Sequence, residues 1–198
     1  MTGPERPLRL LAATATATGV ALWVAPAAGA HTGGDLAGLT AGVLHPFLGP
    51  DHLLAMVAVG ILAAVIGRGL SVPAAFVGAM VLGGALGLAG LPLPAGETAV
   101  AMSVVALGAA VAAGVALGAG WALGLVAVAG FVHGHAHGVE APAAAHPLVY
   151  VGGFVAATVA LHLVGWCAGS TLGRRPAWRT TVGTIVAGAG LGLVVALG

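Results

Sequence analysis

The chain has 198 residues, 60% hydrophobic and 6% charged, with a mean hydropathy of +1.11; soluble domains carry roughly a quarter charged residues, so the composition excludes one and describes an integral membrane protein. Lysine, asparagine and glutamine are absent, which leaves the polar chemistry to eight histidines, five acids and six arginines. A net charge of +1 with arginines scattered in short loops excludes a nucleic-acid surface, and the single cysteine, Cys167, excludes an intramolecular disulfide and reads as a small buried hydrophobe.

Residues 1–30 open with Arg6 and Arg9, pass through the apolar stretch from Leu10 to Val24 and close on Pro26-Ala27-Ala28-Gly29-Ala30. A basic head, a short apolar middle and an Ala-x-Ala end predict a secretory signal peptide. The competing reading, a retained first membrane helix, is weakened by the alanines and threonines between Ala12 and Thr18. Cleavage after Ala30 makes His31 the mature N-terminus, outside the cytoplasmic membrane. There its amine and imidazole form a chelating pair for a transition metal; the alternative is a merely polar residue at the cleavage site.

A hydrocarbon core of about 30 Å needs about 20 helical residues, and apolar segments of that order fall at 36–66, 71–91, 96–117, 119–136, 147–172 and 178–197. The expected fold is therefore all-α, a polytopic membrane bundle of about six helices that forms one domain over 31–198 after the cleaved signal peptide. Basic residues accumulate in cytoplasmic loops. With the N-terminus outside, Arg68, Arg174, Arg175 and Arg179 fall in or beside such loops, whereas Asp35, Glu97, Glu140, His31, His133, His135, His137 and His146 fall toward the outer side. Small residues four apart let helices approach closely, and Gly83/Gly87, Gly114/Gly118, Gly120/Gly124, Gly165/Gly169 and Gly188/Gly192 have that spacing. The pattern supports a tight bundle without singling out one contact, and a homo-oligomer is compatible with it.

The first span carries HPFLGPDHLLAMVAVG, residues 45–60. Pro46, Gly49 and Pro50 should break the helix there, since proline removes a backbone donor and clashes with the preceding turn. Broken backbone at membrane depth is tolerated where it lines a polar cavity, and such breaks build ion sites in transporters. His45 ends the first half, while Asp51 and His52 open the second; two imidazoles and a carboxylate suit a first-row divalent metal. Asp51 has a second reading as a cap on the free amides of the second half. Met56, one turn beyond His52, offers a thioether or simple packing.

Glu97 begins the third span, where capping and ligation are equally good readings. The fourth span ends in FVHGHAHGVE, residues 131–140, with His133, His137 and Glu140 at i, i+4 and i+7, on one face of a continuing helix. His135 points elsewhere on a regular helix, although Gly134 and Gly138 could loosen the turn. The tract reads as a metal-capture site, or else as a solvated connection. His146 precedes Pro147 and reads as a boundary residue. His162 lies well inside the fifth span, where an ionisable residue is costly and points to function; otherwise it is a neutral histidine bonded to a carbonyl or to Thr158.

No GxxxxGK phosphate loop, thiolate cluster, HExxH or supported GxSxG set is present, so the parts for nucleotide or intramembrane hydrolysis are missing. The two histidine motifs, behind a leader ending in AHTGG, resemble the HupE/UreJ family of nickel and cobalt permeases over almost the whole chain. In that family a first-helix histidine, five residues, then aspartate and histidine fall here on His45, Asp51 and His52. The later His-Gly-His-Ala-His-Gly-x-Glu signature falls on His133, His135, His137 and Glu140. The resemblance implies an inner-membrane importer of nickel, or of cobalt, with no resident cofactor and no enzymatic activity. The expected route collects metal at His31 and the His133 to Glu140 cluster and passes it to His45, Asp51 and His52; Met56, Glu97 and His162 are further pathway candidates. A membrane metalloenzyme or accessory protein with the same ligands is the alternative, and the lack of a general base or nucleophile beside them counts against it.

Overall fold

A computed structural model describes residues 34–94, 96–141 and 147–198. The expected signal peptide, His31 and His146 lie outside those residues. Seven α-helices follow in order: α1 Gly34–Leu48, α2 Pro50–Val65, α3 Ser71–Leu88, α4 Gly96–Ala113, α5 Ala119–Glu140, α6 Pro147–Leu172 and α7 Pro176–Ala196. A 3-10 turn, Gly114–Leu117, joins α4 to α5, with positive φ at its first residue, Gly114 (60°), and just beyond it at Gly118 (76°), where glycine is favoured. Five of the helices are long and apolar enough to cross a membrane, and α1 with α2 makes a sixth span bent by 81°. No strand occurs among the described residues.

The break stands where the sequence places it. Pro46 sits inside α1, Gly49 is extended at φ −95° and ψ 113°, and Pro50 opens α2, where a missing N–H costs nothing. The fourth span, expected to end near 136, runs on to Glu140, so the histidine tract is helix and not a connection.

Packing follows the small residues. A Cβ at Gly130 would run into Phe76 O, at Gly134 into Met80 O and at Gly138 into Gly84 O, so α3 and α5 lie parallel with their backbones touching. Gly134 and Gly138 therefore do not loosen the helix; they seat it on α3, which leaves the histidines between them to face other directions. In the same way Gly165 meets Val57 and Gly169 meets Ile61, which lays α6 parallel to α2. Gly108 meets Gly183 and Ala187 while Gly190 meets Val105, so α4 and α7 run antiparallel. Of the glycine pairs singled out by spacing, Gly120/Gly124 and Gly188/Gly192 meet nothing. The apolar core, with Met56, Leu62, Phe76, Leu107 and Val126 fully buried, fills the space between α2, α3, α4 and α5. Cys167, expected to be buried, is exposed on α6 among apolar neighbours, as a bilayer-facing position permits.

Candidate metal centre

The bend brings the end of α1 and the start of α2 against the last two turns of α5. The His45 ring stands 4.7 Å from that of His137 and 5.9 Å from that of His52. The His52 ring is 4.2 Å from His137 and 4.7 Å from His133. Imidazole nitrogen binds a first-row ion at about 2.0–2.1 Å, so two rings sharing one ion at right angles stand roughly 4.5 Å apart, centre to centre. The His45–His137, His52–His137 and His52–His133 separations fall near that value, whereas the 5.9 Å between His45 and His52 is too long for the two to share an ion in this way. The two motifs, expected as successive stations, are interleaved into one.

Two overlapping ligand groups result. Ligand atoms of His45, His137 and Glu140 all lie within 4.8 Å of one another, with His45 Nε2 3.3 Å from Glu140 Oε2. This group is the open one, since the Glu140 side chain is 52% exposed and that of His45 30%. The deeper group, His52, His133 and His137, is buried. His137 belongs to both.

The hydrogen bonds define which nitrogens are free. Asp51 Oδ1 accepts from the His52 backbone N–H at 2.8 Å and from His52 Nδ1–H at 2.6 Å. An ionised carboxylate only accepts, so the His52 proton lies on Nδ1 and its lone pair on Nε2. Asp51 thus satisfies a free amide of the first turn and orients the histidine, uniting the capping and site readings in a carboxylate–histidine arrangement that metal ligands commonly use.

Ser103, on α4, does the same for His133. Its hydroxyl has one proton; donated to Val100 O at 2.7 Å, it leaves the oxygen to accept from His133 Nε2–H at 2.9 Å. The His133 lone pair then falls on Nδ1. Sequence reading missed Ser103, although a single hydroxyl in the apolar run AVAMSVVAL is the kind of buried polar residue that needs a partner.

The remaining nitrogens have none. His52 Nε2, His133 Nδ1 and both nitrogens of His137 are buried without a hydrogen-bond partner. Buried polar atoms are nearly always paired, because leaving one unpaired costs about 1–3 kcal/mol. Four orphaned nitrogens from two helices mark this cluster as the candidate ligand site. Phe154, with its ring 3.8 Å from that of His137, and Tyr150, 6.0 Å from His45, wall the cluster on the α6 side.

Other candidates lie elsewhere. His135 is turned away and its Nε2 contacts Leu91 O at 2.7 Å, tying α5 to the α3–α4 connection; the structure does not bring it to the cluster. Met56 is fully buried in the apolar core, and Glu97 is exposed in the first turn of α4, outside these contacts. His162 is buried on α6, with neither ring nitrogen partnered, and Thr158 donates to Phe154 O instead of to it.

The family described as HupE / UreJ protein matches residues 18–193. Protein HupE of Rhizobium leguminosarum bv. viciae is 45% identical over 152 residues, covering 76% of this chain and 80% of that protein. No solved structure matches.

Proposed function

Since the chain belongs to the HupE/UreJ family of nickel and cobalt transporters, we propose that it imports nickel, with cobalt as the family's alternative, through the histidine cluster at the break of its first span. The observation that supports this most is the convergence of four unpartnered buried nitrogens from α2 and α5. Imidazole suits nickel and cobalt, whereas magnesium and calcium prefer oxygen. In this reading the mature N-terminus is outside the cytoplasmic membrane. The exposed Glu140 and half-buried His45 receive the ion, His137 is shared between the two groups, and His52 and His133 hold the ion at the deepest point of the cluster. His137 lets the ion exchange ligands one at a time, so it need never be bare. Conduction requires several sites of moderate strength, because one tight site would trap the cargo.

The test is nickel accumulation in bacterial cells lacking their own nickel importer, comparing wild type, His52→Ala and His137→Ala at equal membrane abundance. Wild type should accumulate nickel and both variants should not. Equal accumulation by all three would overturn the site.

A further inference from the structure

Among the described residues, His162 is the ionisable group deep in a span that the cluster does not absorb. It is 2% exposed, neither ring nitrogen has a partner, and Thr158, one turn earlier, bonds to Phe154 O. A Cβ on Gly60 would run into His162 O, so α2 and α6 touch there. Gly60 lies eight residues beyond His52, roughly 12 Å along α2 at 1.5 Å per residue, toward the end that carries Arg68. His162 is therefore displaced from the cluster along the axis of the bundle.

Phe76 is in ring contact with both His133 and His162. Its side chain is fully buried, and its ring lies 6.0 Å from that of His133 and 5.2 Å from that of His162, edge to face at 87°. Its backbone packs on Gly130, one turn before His133 on α5. Phe76 offers an ion no lone pair, only a ring face with weak attraction for cations. A partnerless imidazole buried in a span is costly unless it serves a ligand.

We propose that His162 is a second, inner station for the transported divalent ion, and that the Phe76 ring is the apolar barrier separating it from the histidine cluster. This rests on reading the chain as a divalent-metal permease. An ion held by His52 and His133 reaches His162 only when the Phe76 ring swings aside. Apolar constrictions of this kind gate ion pathways by excluding water.

The test uses the full chain in proteoliposomes, measuring labelled nickel influx, together with equilibrium nickel binding by the purified protein. His162→Leu should bind nickel at the cluster as wild type does, yet transport it about ten-fold more slowly or worse, the loss expected when a metal-supporting imidazole is removed. His162→Cys, which keeps a ligand atom, should recover part of the rate. Phe76→Ala should raise influx above wild type, and Phe76→Leu, which keeps an apolar plug, should not. Wild-type influx in His162→Leu overturns the inner station, and unchanged influx in Phe76→Ala overturns the barrier. Failure of the wild-type protein itself to bind or admit nickel or cobalt would instead overturn the permease reading. Loss of influx in His52→Ala with none in His162→Leu would leave that reading standing and remove only this inference.

Discussion

Replacing Asp51 by asparagine keeps the shape of the side chain and removes its charge, and so separates orientation from ligation. The carboxylate now accepts from His52 Nδ1–H at 2.6 Å and from the His52 amide at 2.8 Å. Hydrogen bonds to a charged group contribute about 1.5–3 kcal/mol and neutral ones about 0.5–1.5 kcal/mol. The Asp51→Asn change therefore costs about 1–1.5 kcal/mol of His52 orientation, close to ten-fold in metal affinity. If the amide turns its NH2 toward Nδ1, the His52 proton moves to Nε2 and the lone pair leaves the cluster, which takes the loss toward the upper end of the 10–100-fold range seen for such supporting partners. Calorimetric nickel titration of the purified protein measures the dissociation constant, and the visible spectrum of the cobalt-loaded protein reports the ligand set. A 10–100-fold weaker constant with an unchanged cobalt spectrum is expected. An unchanged constant would refute the orienting role. A spectrum showing the loss of an oxygen ligand would mean that the carboxylate itself holds the metal.

Ser103→Ala removes the acceptor for His133 Nε2–H and should weaken nickel binding about ten-fold at unchanged membrane abundance; a titration indistinguishable from wild type would refute the tautomer assignment. His135→Ala should leave nickel affinity intact while losing one hydrogen bond to Leu91 O, about 1 kcal/mol of stability, seen as a lower thermal midpoint in detergent. Gly134→Ala places a methyl group against Met80 O, an overpacking that typically costs about 1–3 kcal/mol; heat-induced aggregation should begin at a lower temperature, and wild-type stability would refute the close approach of α3 and α5.

Much of this protein is legible in the chain itself. Composition alone announces a bilayer protein, and the six apolar runs recur as spans with boundaries within a few residues, because helix length and apolarity are local properties that the membrane imposes segment by segment. The break at Pro46, Gly49 and Pro50 is local too, since it follows from missing backbone donors. Spacing also placed His133, His137 and Glu140 on one face, a consequence of helical periodicity.

What spacing could not supply is which face meets which neighbour. His45 and Glu140 are far apart in sequence, and only the 81° bend and the seating of α5 on α3 place them 3.3 Å apart. The orientation of His52 by Asp51, the hydrogen bond of His133 with Ser103 and the contact of Phe76 with two histidine rings each depend on a side chain from another helix or on a rotamer chosen by packing. The glycines illustrate the limit: spacing named Gly83/Gly87 and Gly165/Gly169, which lie in the α3–α5 and α2–α6 contacts, but also Gly188/Gly192, which meet nothing, and it passed over Gly130, Gly134 and Gly138 on the α5 side of the first contact. Local chemistry determined that this chain would span a membrane with histidines at a broken helix. Tertiary packing decided that they would form one continuous cluster, because the contacts between helices are set by long-range fit that no single helix encodes.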